Sequence, residues 1–294
     1  MRAVLSLIVY LAVVFIGGAL LAPGLYGWTQ WGSCHFPLLT RLAAHPFHRF
    51  LGRSLLGLAV LGLWPLLRFN GMAQWRDVGF VKQKQTGMDF LRGLAIGWAS
   101  LAAAALLGCF FGARAWGPPA SPSEILRQLC GATLTAVVVA VLEELLFRGA
   151  LFGLLRKAMS WPAALAVSSA IYSLSHFIAR AEWKQPVHWS SGLALLGEMI
   201  RNHPPLVPAF FTLFVVGAIL ALAYERSGAL FLPIGLHAGW IFWLKVSGVF
   251  FRQTGSGQAL WGSNNMVDGW APFLILVIVL ALVARRTGRE FPPP

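Results

Sequence analysis

The chain is poor in charge: 11% of its 294 residues are Asp, Glu, Lys or Arg, while 57% are hydrophobic. Ordinary soluble domains carry about 25% charged residues, and no polar stretch here is long enough to fold as one. The sequence therefore predicts one integral-membrane domain over residues 1–294. Cysteine is also scarce. Cys34, Cys109 and Cys130 show no C-x-x-C spacing, which argues against a disulfide framework and a thiolate zinc site. The His-Glu-x-x-His helix of many zinc proteases is absent as well. There is no clear internal repeat and little sign of interrupted helices, the features that mark many transporters. The formal net charge of +13 would suggest nucleic acid in a soluble protein. Here the basic residues sit mostly in short loops beside apolar runs, where they meet anionic headgroups. The expected partner is the lipid bilayer, with no nucleic acid.

What is present is a series of apolar segments. They predict an all-α, polytopic transmembrane helical bundle of about eight helices with a buried polar site. The spans fall at about 3–22, 50–67, 90–111, 129–155, 161–179, 207–224, 230–247 and 270–284. The first resembles a signal peptide, but seven further spans favour an uncleaved helix. Ser123 is a candidate cap for the fourth span, with Glu124 at its positive end. Trp75 to Phe80 reads as a surface anchor, and Leu193 to Ile200 as a short amphipathic helix lying on the membrane. The tail from Arg285 reads as disordered. Loop histidines His35, His45 and His48 match no usual ligand spacing. Eight spans put both termini on one side, and a small excess of Lys and Arg there points to the cytoplasmic face of the plasma (inner) membrane.

One span breaks the apolar rule. Between Leu129 and Leu155 the ionisable side chains besides Cys130 are Glu143, Glu144 and Arg148. A charge at mid-bilayer costs about 2.5–3.5 kcal/mol on insertion scales and marks a pathway, a relay or a catalytic site. Two histidines, His176 and His237, also fall in apolar spans. Counted from one surface at 1.5 Å per residue, Glu143, His176 and His237 lie roughly 20, 24 and 14 Å deep, close enough for tilt to level them. Glu144 and Arg148 are four apart on a helix, so they can pair. Glu143 lies about 100° away on another face and has no local partner. A desolvated carboxylate beside an imidazole suits general-base activation of water, with the second imidazole placed to stabilise an oxyanion. A carboxylate and two histidines also form a familiar catalytic zinc set, so Glu143, His176 and His237 are metal-ligand candidates too. The spacing does not choose between these.

These residues resemble the CPBP intramembrane proteases, a family that includes the type II CAAX prenyl endopeptidases. Its first motif, Glu-Glu-x-x-x-Arg, reads Glu143-Glu144-Leu145-Leu146-Phe147-Arg148. The second, Phe-x-x-x-His, reads Tyr172-Ser173-Leu174-Ser175-His176, with Tyr in the aromatic place. The third, His followed four residues later by Asn, reads His237 to Ile241, so a hydrocarbon replaces the amide. The resemblance implies an endopeptidase acting on a membrane-bound or lipidated protein, with its motif-bearing core at 129–248. In that reading Glu143, His176 and His237 are catalytic, and Glu144, Arg148, Tyr172 and Ile241 are supporting. It leaves the glutamate-activated and metal-dependent mechanisms both open. Two other classes remain as alternatives: a proton-coupled transporter relaying through Glu143, and a catalytically idle immunity or scaffold relative.

Overall fold

A computed structural model describes residues 2–117, 121–177, 183–202, 207–263 and 266–285. The expected disordered tail beyond Arg285, the His203-Pro204-Pro205 stretch, and Asn264 and Asn265 before the last helix lie outside those residues. The chain is helical almost throughout. Among the described residues five helices are long and apolar enough to cross a membrane: Arg2–Ser33, Phe47–Phe69, Thr86–Phe110, Pro122–Arg156 and Val207–Ser227. The other three expected spans are helices at Trp161–Ser175, Phe231–Phe250 and Trp270–Ala284. Two of these have 15 residues each, short of the roughly 20 that cross a bilayer upright. Among the described residues, five helices meet the length and hydropathy of a span. The first is much longer than expected, running to Ser33 and containing a π-helical turn at Val13–Gly17.

The helix carrying Glu143 begins earlier than its charge-free run suggests. Ser121, not Ser123, caps it: its hydroxyl accepts from the Glu124 amide at 3.3 Å, and Pro122 occupies the first turn, where no amide proton is needed. The helix is α-helical to Glu144, widens into a π-helix over Leu145–Phe152, then returns to α-helix at Gly153–Arg156. Such widened turns are rare and recur at functional sites.

The chain divides into two compact units. One comprises residues 1–73 and 174–205. Its core is apolar and aromatic: Ala19, Ala22, Phe47, Phe50 and Leu51 pack with Leu195, Leu196 and Met199 of the Ser191–Asn202 helix. Gly192 lets that helix touch the first one, because a Cβ there would overlap the Ala19 carbonyl oxygen. The expected amphipathic helix is therefore real, and its apolar face is covered by protein.

The other unit comprises residues 74–173 and 206–294. At its centre the Phe231–Phe250 helix is buried on every side from Leu232 to Trp240, as expected of a helix surrounded by protein. It packs against Thr86–Phe110 through glycines on both partners. A Cβ at Gly93 or Gly97 would overlap the carbonyl oxygens of Leu232 or Leu236, and one at Gly235 would overlap that of Phe90. Two small-xxx-small pairs, Gly93/Gly97 and Gly235/Gly239, thus bring the backbones into contact. Trp240 Nε1 donates to Ser100 Oγ at 2.9 Å across the same seam. His237 lies between the two glycines of its helix, so this seam fixes its height and rotation.

The Trp75–Phe80 segment is only half an anchor. Trp75 is exposed, but Val78 is buried, and the Leu230 amide donates to the Gly79 carbonyl at 2.9 Å. Gly79 takes a left-handed φ of +92°, and a Cβ there would run into the Tyr224 ring. The segment therefore docks at one end of this unit. A two-stranded antiparallel pairing of Arg114–Trp116 with Phe251–Gln253 ties the unit elsewhere.

Candidate active site

The second unit buries a polar cluster among its helices. Glu144 is fully buried, and its Oε1 accepts two hydrogen bonds: from Arg148 Nη1 at 2.9 Å, one turn along, and from His237 Nδ1 at 2.8 Å, on the Phe231–Phe250 helix. The expected Glu144–Arg148 pair is present. The link to His237 was not foreseen, since 93 residues separate the two and no local periodicity connects them. A carboxylate paired to an arginine can only accept, so His237 Nδ1 is the donor in this bond.

Arg148 has further restraints. Its Nη2 donates to the Gly217 carbonyl at 3.2 Å, and its guanidinium lies 4.6 Å from the centre of the Tyr172 ring. Gly217 is required there for its size: a Cβ would sit 2.9 Å from Ser169 Cα. Tyr172 is held by Phe147, edge-on at 5.0 Å, and by its neighbour Ser173, whose hydroxyl donates to the Phe210 carbonyl at 2.8 Å. Glu144 and Arg148 neutralise each other, which is what makes their burial tolerable, although Glu144 Oε2 accepts no hydrogen bond among the described residues.

Glu143 is different. Its side chain is 30% exposed, and its Oε2 lies 3.8 Å from His237 Nε2. That oxygen is itself buried and accepts no hydrogen bond among the described residues. The Tyr172 hydroxyl lies 3.5 Å from the same His237 nitrogen. Three polar atoms from three helices thus converge on one point: Glu143 Oε2, His237 Nε2 and Tyr172 Oη.

His176 is not in this group. The helix that carries Tyr172 ends at Ser175, and His176 lies exposed in the following turn, its Nδ1 3.5 Å from Ser175 Oγ. It belongs to the first unit. The depth count placed it in a helix continuing to Ala179, whereas the helix stops one residue before it. Ile241, one turn after His237, is half-buried and brings no hydrogen-bonding side chain. Among the described residues no three His, Cys, Asp or Glu side chains are placed to hold a metal ion. The expected set of Glu143, His176 and His237 is not assembled, and the nearest other carboxylate, Glu144, faces Arg148, a cation itself.

Apolar helices around a paired carboxylate, an arginine and a fixed imidazole define an integral membrane protein with an enzyme-like centre inside its helical body. Residues 126–243 match the family model described as Type II CAAX prenyl endopeptidase Rce1-like. That segment contains every residue of the cluster, and over it the chain is similar to the CAAX-protease family of intramembrane proteases. No curated protein and no solved structure matches the chain.

Proposed function

We propose that this protein is an endopeptidase that hydrolyses a peptide bond in a membrane-associated or lipidated protein substrate, with Glu143 as general base. The observation that carries the reading is Glu143 Oε2: a buried carboxylate oxygen that accepts no hydrogen bond among the described residues, 3.8 Å from an imidazole whose other nitrogen is anchored. A buried acceptor left unpaired is costly, and a water bound between Glu143 and His237 Nε2 satisfies it. Glu143 takes a proton from that water as its oxygen attacks the scissile carbonyl, then delivers the proton to the departing amine. Glu144 and Arg148 hold His237 against the reacting carbonyl, acting through that ring and not on the substrate. His176, expected from the sequence as the second residue on the water, is retained as a proposed catalytic residue. The termini are assigned to the cytoplasmic side of the plasma membrane, in keeping with the slight excess of basic residues on that face.

The test uses the purified full-length protein in detergent with prenylated and unprenylated tail peptides anchored in micelles. Wild type is expected to cleave. Glu143→Gln, nearly the same in shape, is expected to lose 10²- to 10⁴-fold in kcat, the usual contribution of a general base, while melting within a few degrees of wild type. Cleavage by Glu143→Gln at the wild-type rate removes the reading. Comparing the two peptide sets shows whether a lipid is required.

A further inference from the structure

The site departs from its family's motifs in two places, and the structure connects them. The third motif ends in Ile241 where the family has Asn, so an amide donor is missing. The second motif starts with Tyr172 where the family has Phe, so a hydroxyl is added. That hydroxyl sits 3.5 Å from His237 Nε2, the nitrogen that also faces Glu143.

The hydrogen-bond directions around His237 make the missing donor matter. With Nδ1 donating to Glu144 at 2.8 Å, the neutral ring presents only a lone pair at Nε2. An oxyanion forming beside it needs an O–H or N–H from elsewhere. Ile241 has none. Trp240 Nε1 is committed to Ser100, and the Ser173 hydroxyl to the Phe210 carbonyl.

We propose that Tyr172 is a catalytic residue whose hydroxyl donates to the oxyanion, in place of the amide absent at Ile241. The inference rests on the endopeptidase reading above. In the resting site the Tyr172 hydroxyl lies 3.5 Å from His237 Nε2, a long approach for a hydrogen bond. As the water oxygen bonds to the carbonyl carbon, the C=O π pair moves onto the carbonyl oxygen, and the Tyr172 O–H turns to that oxygen without giving up its proton. When the tetrahedral species collapses, the pair returns to re-form C=O, the C–N bond breaks, and the amine leaves with the proton carried by Glu143. Tyr172 is well held for this work. It is 2% exposed, lies under the Arg148 guanidinium at 4.6 Å and against Phe147 at 5.0 Å, so little reorganisation accompanies the reaction.

The experiment is a double-mutant cycle on the full-length protein with a tail peptide that wild type cleaves. Tyr172→Phe removes one oxygen and keeps the ring contacts. It is expected to lower kcat about 10²- to 10³-fold with KM changed less than threefold, the pattern of a donor felt only in the transition state. Ile241→Asn in the Tyr172→Phe background is expected to restore at least tenfold. In the wild-type background the same change is expected to give a smaller gain in kcat than in the Tyr172→Phe background. That dependence of one site on the other is the coupling a merely structural tyrosine would not show. Melting curves accompany each variant. If Tyr172→Phe is unstable, the Ile241→Asn variant with and without 3-fluorotyrosine at 172 reads the same coupling with the hydroxyl retained. An active wild type with an equally active Tyr172→Phe, or equal losses in both backgrounds, overturns this inference and leaves Glu143 untouched. If wild type and Glu143→Gln are equally inert, the endopeptidase reading falls and this inference falls with it.

Discussion

Among the described residues, the polar side chains buried in one compact unit are hydroxyls, whereas the other unit also buries charged groups. In residues 1–73 and 174–205 the Tyr10 hydroxyl crosses to the Ala59 carbonyl at 2.7 Å, while Thr29 Oγ1 donates to the Leu25 carbonyl at 2.6 Å and Ser54 Oγ to that of Phe50 at 2.9 Å, each within its own helix. Such bonds satisfy the group without involving a neighbour, and the helices meet through Phe47, Phe50, Leu51 and Leu195. In the other unit hydroxyls also bond back, as Thr212 does to the Pro208 carbonyl at 2.7 Å, but the charged groups and a tryptophan bond across helices. Arg148 reaches Gly217, His237 reaches Glu144, and Trp240 reaches Ser100. A back-bonded hydroxyl leaves a helix free to pack anywhere, whereas a cross-helix bond specifies one arrangement of several helices. That is the requirement for holding a base, an imidazole and a donor within a few ångströms.

Three substitutions probe this contrast. Arg148→Met should have the largest effect. It leaves Glu144 fully buried with its strongest partner gone, a change worth about 3–5 kcal/mol, and frees the carboxylate that orients His237. Thermal unfolding in detergent should show a sharp loss of stability together with loss of cleavage; an unaltered melting curve would mean the knot is not structural. Next comes Leu51→Ala, a wholly buried side chain of the apolar unit. About 2 kcal/mol is expected from the cavity alone, because lipid is as apolar as the core and the transfer component shrinks. Stability should fall while kcat of the folded protein stays at the wild-type value. Gly97→Val should be mildest in stability, about 1–3 kcal/mol of overpacking against the Leu236 carbonyl. Leu236 precedes His237, so kcat should drop further than the melting temperature suggests. A Gly97→Val enzyme that turns over normally would show that the glycine seam does not set the imidazole.

Much of this was legible in the chain. Low charge and long apolar runs dictated a helical membrane protein, because backbone groups in lipid must satisfy one another. Spacing alone paired Glu144 with Arg148 and set Glu143 apart. The glycines at 93, 97, 235 and 239 carried a packing signal readable as small-xxx-small. Other features had no local trace. The π-helical segment after Glu144 and the end of the Tyr172 helix at Ser175 depend on packing, which a depth count that assumed ideal helices does not register.

Sequence by itself determined that charges would lie inside the membrane region, which helix would carry them, and that two of the three would neutralise each other. These follow from composition and from the 3.6-residue turn, both local properties. Only the tertiary structure decided that Glu144 would also hold His237, that His237 Nε2 would face Glu143, and that the hydroxyl of Tyr172 would come to the same point. Those partners lie on three helices up to 94 residues apart in the chain, from Glu143 to His237. The glycine seam and the buried arginine, acting over short distances in space, are what bring them together.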